Sequence, residues 1–109
     1  MSLDIELCDP NNPYDVYTYF NITHNLTEMA AVAGLYKLIW RPEEIGIFTA
    51  RQLIEPLSAG LRRLKDMPEF FSLFDSPNFY GTYVDFVAFV GSYLEACKAL
   101  PDAEIRASR

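Results

Sequence analysis

The sequence predicts an α+β domain in which a small antiparallel sheet is packed on one face by about four helices. Two N-terminal stretches alternate with a period of two, the middle of the chain has helical periodicity, and a last alternating stretch follows residue 102. Helices on one face of the sheet would bury every apolar stripe at once. No repeat, linker or low-complexity stretch divides the chain, so residues 1–109 are expected to form a single domain.

The first two strands are predicted to form an N-terminal β-hairpin. Leu3, Ile5 and Leu7 form one face of the first strand, and turn-forming residues follow at 9–13. In the second strand, one predicted face consists of Val16, Thr18, Phe20 and Ile22. Because this strand is apolar or aromatic on both faces, we expect it at the centre of the sheet. Alternation at Ala103, Ile105 and Ala107 predicts a third, C-terminal strand that returns to the hairpin.

Helical periodicity begins near Asn25 and Thr27, either of which can cap the first helix. Helical spacing continues past Gly34, which costs about 1 kcal/mol in a helix interior, so the alternative is that Gly34 ends one helix and a second begins at Leu35. Pro42 suits the first position of a further helical turn.

Thr49 and Gln52 fit a capping box at the start of a longer helix. Pro56 interrupts this helix and predicts either a kink near Gln52 to Pro56 or two abutting helices. Pro68 opens another short segment, and residues 75–81 form a loop. Thr82 then caps the clearest helix, which runs to about Leu100.

The charge balance argues against nucleic acid as a partner. The formal net charge is −6, and the first 36 residues contain no Lys or Arg. A nucleic-acid binder normally presents a clustered basic surface to the phosphates. The one basic cluster is expected to form a solvated helix face, and it consists of Arg51, Arg62, Arg63 and Lys65.

The N-terminus and the cysteine content indicate the compartment. Cys8 and Cys97 are too few for a disulfide scaffold. The first residues lack the basic and long apolar regions of a signal peptide, and no apolar run approaches the roughly 18 residues of a membrane span. We therefore expect a cytoplasmic protein with reduced cysteines and no membrane partner.

No catalytic residue, cofactor or metal site is predicted. The five glycines form no phosphate-binding loop, and the single histidine and the two distant cysteines lack metal-ligand spacing. Cys97 with His24 as its base would make a nucleophile pair, but Cys97 continues the buried stripe of the last helix. His24 with Asp15 or Glu28 would make an acid–base pair, although a histidine between strand and helix more often bonds nearby backbone.

Tyr17 and Tyr19 are the first candidate binding residues. If helices cover only one face of the sheet, both tyrosines stand on the exposed face. An apolar ring with a polar tip suits a protein partner or a dimer interface there. Cross-strand packing within the sheet is the alternative.

Two aromatic loop segments supply the other candidates, because loops carry function disproportionately. Trp40 and Arg41 lie in one segment, and Tyr80 lies in the other, Asn78–Thr82. The alternative is that these aromatic residues close the edge of the core. With His24, they would line a small-ligand site in which Arg41 grips a carboxylate.

Three segments form a combination that can be compared with known sequences: Asn21–Leu26, Trp40–Glu44 and Asn78–Tyr83. This combination resembles a set of small uncharacterised proteins of bacterial, phage and prophage genomes. The likeness extends from the second strand to Pro101–Ala103, and those proteins tend to have Gly-Trp where this chain has Phe79-Tyr80. The resemblance implies a bacterial or phage cytosolic setting, and it implies no activity and no catalytic residues.

Three hypotheses follow. The leading one is a non-catalytic module that binds a protein partner or self-associates as a homodimer, because catalytic constellations are absent and the sheet offers an aromatic face. The first alternative is a small-ligand binder or minor enzyme that uses His24, Trp40 and Arg41. The second alternative is an acidic phage-type inhibitor that imitates DNA charge toward a DNA-processing protein, which requires the hairpin carboxylates to form a stripe.

Overall fold

The computed structural model describes residues 1–109 as a three-stranded antiparallel sheet with a layer of helices against one face. The strands are β1 (Ser2–Asp9), β2 (Asn12–Thr23) and β3 (Glu104–Ser108). The helices are α1 (Thr27–Val32), α2 (Tyr36–Trp40), α3 (Ala50–Asp66), α4 (Pro68–Ser72) and α5 (Tyr83–Ala99), with 3₁₀ turns at His24–Leu26 and Pro42–Ile45. The α+β class and the three-stranded antiparallel sheet are therefore confirmed, with five helices where about four were expected.

The strand order is β2-β1-β3, so β1 is the central strand. The expectation that β2 lies at the centre is wrong. Leu3, Ile5 and Leu7 of β1 are fully buried, whereas residues 12–17 of β2 are exposed. The reason is that β3 pairs with the other side of β1, from Asp4 to Cys8, which leaves β2 at an edge of the sheet with its first half exposed. Its aromatic residues there face solvent instead of lying between two layers.

A β-bulge interrupts the ladder between β1 and β2. Leu7 faces Thr18 but Cys8 faces Val16, which leaves Tyr17 as the extra residue. Directly opposed residues share a face, and one extra residue reverses the alternation of side chains. Val16 therefore lies in the row of Cys8 and not in the row of Leu3, Ile5 and Leu7, where the sequence pattern places it.

The helix boundaries follow local backbone chemistry. Gly34 has φ +75° between α1 and α2, a conformation that glycine adopts at no steric cost. Gln52 Oε1 accepts the N–H of Thr49 at 3.1 Å before α3, and Thr82 Oγ1 accepts the N–H of Asp85 at 3.3 Å in α5. These features confirm the boundaries predicted from the capping box and from Thr82, and they select the alternative in which Gly34 ends one helix and a second follows.

Helix α3 is continuous through Pro56. The alternative of two abutting helices is therefore wrong. An interior proline costs about 3 kcal/mol because it removes one hydrogen bond and crowds the preceding turn. The buried stripe of Leu53, Leu57 and Leu64 lies on both sides of Pro56, so packing against the core offsets that cost along the whole helix.

One core joins the sheet to the helices. Phe20 of β2 meets the ring of Phe89 edge to face, with ring centroids 5.9 Å apart, and its ring also lies against Tyr93 of α5. These aromatic contacts place α5 over the β2 side of the sheet.

No helix combines the length and the apolar character that crossing a bilayer requires.

Candidate functional site

His24 and Trp40 are joined by a hydrogen bond. His24 opens the 3₁₀ turn after β2, and Trp40 ends α2 with only 1% of its surface exposed. The indole Nε1–H donates to His24 Nδ1 at 2.9 Å. Because Nδ1 accepts this bond, the proton of the neutral imidazole lies on Nε2. The bond satisfies a buried donor and fixes the orientation of the His24 ring.

Arg41 is held by its own neighbours on α2 and in the next turn. Its Nε donates to the Tyr36 hydroxyl at 3.0 Å, and its Nη1 lies 2.7 Å from Glu44 Oε2. These contacts, the Tyr36 bond first, raise the pKa of Arg41 above its usual value. The Tyr36 ring stacks on Trp40 at 5.8 Å, so the group continues to the indole. The guanidinium is thereby committed to two partners within the chain.

The polar groups of these residues are hydrogen-bonded within the chain, and the residues do not line a cavity. The surface has four depressions, and His24, Trp40 and Arg41 line none of them. The structure thus brings three of the predicted site residues together, but their contacts are with one another and with neighbouring residues, so no space for a ligand lies between them.

The two candidate tyrosines of β2 have different surroundings because of the bulge. Tyr19 is opposite Glu6, is 56% exposed, and donates its hydroxyl to Asp4 Oδ1 at 2.6 Å. This bond lowers the pKa of Asp4 and raises that of Tyr19. Tyr17 is 45% exposed and borders a shallow depression with Pro10 and the α5–β3 connection. The pair therefore does not act as one uniform patch.

Tyr80 lies in a surface loop between α4 and α5, residues 73–82, which we call the aromatic loop. Ser76 N–H donates to the Gly81 carbonyl at 3.0 Å and closes the loop at its base. Asn25 Nδ2 donates to the Tyr80 carbonyl at 2.8 Å, and Tyr83 N–H donates to Asp75 Oδ1 at 2.6 Å. The backbone is thus held by hydrogen bonds on both sides of Phe79 and Tyr80.

Three apolar side chains of the aromatic loop point away from the protein. Phe79 is 81% exposed, Tyr80 is 72% exposed and Leu73 is 78% exposed. Phe79 also has φ +63°, the one positive φ outside glycine. A bulky residue in that region is strained, and such strain concentrates at functional positions. Nearby in the sequence, Met67, Phe70 and Val84 are exposed as well.

A depression of about 360 Å³ lies at the base of the aromatic loop. Its lining includes Glu28 and Asp75 beside Leu73 and Pro77. Exposed apolar rings and an acid-lined hollow therefore adjoin one another. Sequence reasoning placed Phe79 in the aromatic segment Asn78–Thr82 but chose only Tyr80 as a site residue, and it missed Leu73. The available signal was the density of apolar residues at 70–74, because a five-residue helix cannot bury all of them.

The remaining reactive groups show no catalytic arrangement. Burial raises the pKa of the Cys97 thiol to about 12, and a neutral thiol is a poor nucleophile. The Tyr93 hydroxyl is buried without a hydrogen-bond partner, but none of the four depressions reaches it. No group of three His, Cys, Asp or Glu side chains lies close enough together to hold a metal ion.

The largest depression, of about 750 Å³, is an open groove between α3 and α5, and its lining includes Leu61, Lys65, Gly91 and Lys98.

The chain was compared with protein-family models, with curated proteins and with solved structures. No protein-family model, curated protein or solved structure matches it.

Proposed function

We propose that this chain is a non-catalytic protein-binding module whose contact surface is the aromatic loop. The observation that carries the proposal is the presentation of Phe79 and Tyr80, which stand in solvent on a backbone that is hydrogen-bonded at both flanks. Aromatic residues that are held rigidly lose little entropy on binding and dominate the energetics of interfaces. The backbone of this loop is therefore preorganised for binding.

The charge around the loop supports a partner with a basic side chain. Glu28 and Asp75 line the adjoining depression, and the whole chain has a net charge of −6. We therefore assign a protein partner that offers an apolar pocket for the rings and a Lys or Arg side chain for the acidic depression. The proposed bacterial or phage setting rests only on the resemblance of the sequence segments.

The loop is preferred over the tyrosines of the sheet because its rings are free. The Tyr19 hydroxyl is bound to Asp4, and Asn21 Nδ2 donates to Asp4 at 2.7 Å. A partner that docked there would have to displace contacts that the sheet already makes. Phe79 and Tyr80 have no such internal contacts for their side chains to lose. This difference is the reason to place binding at the loop.

The proposal is tested by affinity capture from a bacterial lysate, with three baits. The wild type is compared with a Phe79→Asn/Tyr80→Ser variant and with Tyr14→Ala. Asparagine tolerates positive φ better than other non-glycine residues, so the double variant removes both rings and preserves the loop backbone. Tyr14 is 94% exposed at the hairpin and serves as the matched control.

We expect one near-stoichiometric partner that the wild type and Tyr14→Ala retain and the double variant loses, at unchanged thermal stability. Raising the salt concentration should weaken capture, because the acidic depression is screened. Capture that survives the loss of both rings contradicts the proposal, as does the absence of any specific partner on all three baits.

A further inference from the structure

The two edges of the sheet are treated differently by the fold. At the outer edge of β3, Ile105 N–H donates to the Phe48 carbonyl at 2.8 Å and Thr49 pairs with Glu104, so the loop before α3 covers the start of this edge. At the outer edge of β2 no element is paired. An open edge strand presents unpaired N–H and C=O groups to any other extended chain.

The hydrogen-bond alternation identifies which groups of β2 are free. Because Ile105 N–H points to Phe48, the opposed pair Leu7–Ile105 is not hydrogen-bonded, and the backbone groups of Leu7 point toward β2. Thr18, the β2 partner of Leu7, therefore points back at β1. The bond from His24 N–H to the Met1 carbonyl continues the same alternation at the other end of the strand.

The residues between these ladder positions point outward. Tyr19 and Asn21 direct their N–H and C=O groups to the open edge, and Thr18, Phe20 and Ile22 direct theirs to β1. Outside the ladder, the backbone groups of Tyr19 and Asn21 make no hydrogen bond within the chain. The edge thus offers two donors and two acceptors at the spacing of a β-strand.

This part of the edge lacks the usual protection against pairing. Natural edges are guarded by charges, prolines, bulges or covering segments. In β2 the features that disfavour edge pairing all lie at the hairpin end, and they are Pro13, Asp15 and the bulge at Tyr17. Residues 18–23 contain no charged residue, proline or glycine and include the residue types that favour strands.

We propose that the chain forms a two-fold homodimer in which the β2 edges of two copies pair antiparallel around Tyr19 and Asn21. The second copy is the favoured occupant because it supplies the same uncharged strand with an open edge. Antiparallel pairing also directs the two acidic hairpin ends, with Asp9 and Asp15, to opposite ends of the joined sheet, which keeps their repulsion small. This inference is independent of the function proposed for the aromatic loop.

The sharpest test compares Tyr19→Pro with Tyr19→Ala by analytical ultracentrifugation. Both variants remove the ring and its bond to Asp4, but only proline removes the N–H that points to the open edge. Proline is tolerated at edge positions whose N–H faces solvent, so the β1–β2 ladder is kept. We expect Tyr19→Pro to weaken dimerisation at least about tenfold relative to Tyr19→Ala, because each copy loses one edge hydrogen bond.

A measurement on the wild type keeps the proposal falsifiable if the proline variant does not fold. Amide hydrogen exchange is followed by NMR from micromolar to millimolar protein. The amides of Tyr19 and Asn21 should become protected as the dimer forms, while those of Thr18 and Phe20 are protected at every concentration. A chain that stays monomeric overturns the proposal. So does a dimer in which Tyr19 and Asn21 exchange freely, or protection that appears only in a complex with another protein.

The two proposals fail separately. Capture that survives in the Phe79→Asn/Tyr80→Ser variant contradicts the loop proposal and has no bearing on the β2 edge, whereas a wild type that stays monomeric overturns the dimer and has no bearing on the aromatic loop. A variant that lost both properties without unfolding would show that the two surfaces are coupled.

Discussion

The contact between Trp40 and His24 shows how one side chain can decide whether another can be buried. The Trp40 indole is almost completely buried, and its N–H has His24 Nδ1 as its partner. A buried donor that loses its partner costs about 1–3 kcal/mol, whereas a satisfied one contributes only about 1 kcal/mol. The position of His24 is therefore explained by its role as the acceptor for the buried Trp40 N–H, and no catalytic role is required to account for it.

We predict that His24→Leu lowers the free energy of unfolding by about 1–3 kcal/mol, because the Trp40 N–H is left buried without an acceptor. His24→Asn is the matched control, since its amide oxygen can occupy the place of Nδ1 and should recover part of the loss. Chemical denaturation with tryptophan fluorescence measures both variants. Equal losses in the two variants would contradict the role assigned to the hydrogen bond.

At the scale of elements, two glycines in two long helices have opposite surroundings. In α3, a Cβ added to Gly60 would overlap Leu35 Cδ2 and lie 2.7 Å from its Cγ, and Leu35 is fully buried. In α5, a Cβ added to Gly91 would meet nothing within 4 Å. Gly60 is therefore required by the close approach of α3 to Leu35, whereas Gly91 only reduces the helix propensity of α5.

We predict that Gly60→Ala destabilises the protein by about 1–3 kcal/mol despite the better helix propensity of alanine, because the core beside Leu35 is overpacked. Gly91→Ala should stabilise it by about 0.5–1 kcal/mol, since only the propensity changes. Both values come from the midpoint and slope of urea denaturation. Stabilisation by both substitutions would show that Leu35 can move aside freely, against the packing described here.

At the scale of the whole molecule, the C-terminus is tied back to the helices. Arg109 Nη1 donates to the Trp40 carbonyl and to Glu43 Oε1, both at 2.8 Å. The bond from Arg109, followed by a backbone bond of Glu43 itself, lowers the pKa of the Glu43 carboxyl below 4.5. One residue after β3 therefore links the end of the sheet to the turn that follows α2.

We predict that Arg109→Ala destabilises the protein at neutral pH and that this difference narrows as the pH falls below about 4.5. The folded-state pKa of Glu43 is depressed, so its contribution is present above the unfolded pKa and is lost as the pH falls through the folded value. Thermal unfolding of both proteins across the acid range measures the effect. A difference that stays constant from neutral pH to pH 3 would contradict it.

Arg51→Ala is the control for this experiment. Arg51 Nη2 lies 2.7 Å from Asp102 Oδ1, but both side chains are largely exposed to solvent. Exposed ion pairs contribute little because water and salt screen them. We expect no measurable change in stability for this variant at any pH.

The sequence by itself determined the class of the fold, the approximate boundaries of its elements and the third strand. These follow from local causes that act along the chain: side-chain periodicity, the positive φ of Gly34, and the capping oxygens of Gln52 and Thr82. Tertiary structure decided that β1 is central, that the bulge moves Val16 to the other row, and that α3 continues through Pro56.

The same division applies to the candidate sites. The sequence named His24, Trp40, Arg41, Tyr80 and the β2 tyrosines from residue type and loop position. It did not show that Trp40 is buried against His24, that Tyr19 bonds Asp4, or that Phe79 stands exposed. Those outcomes depend on which distant segments meet, and pairing between segments is set by burial of the whole core rather than by local preference.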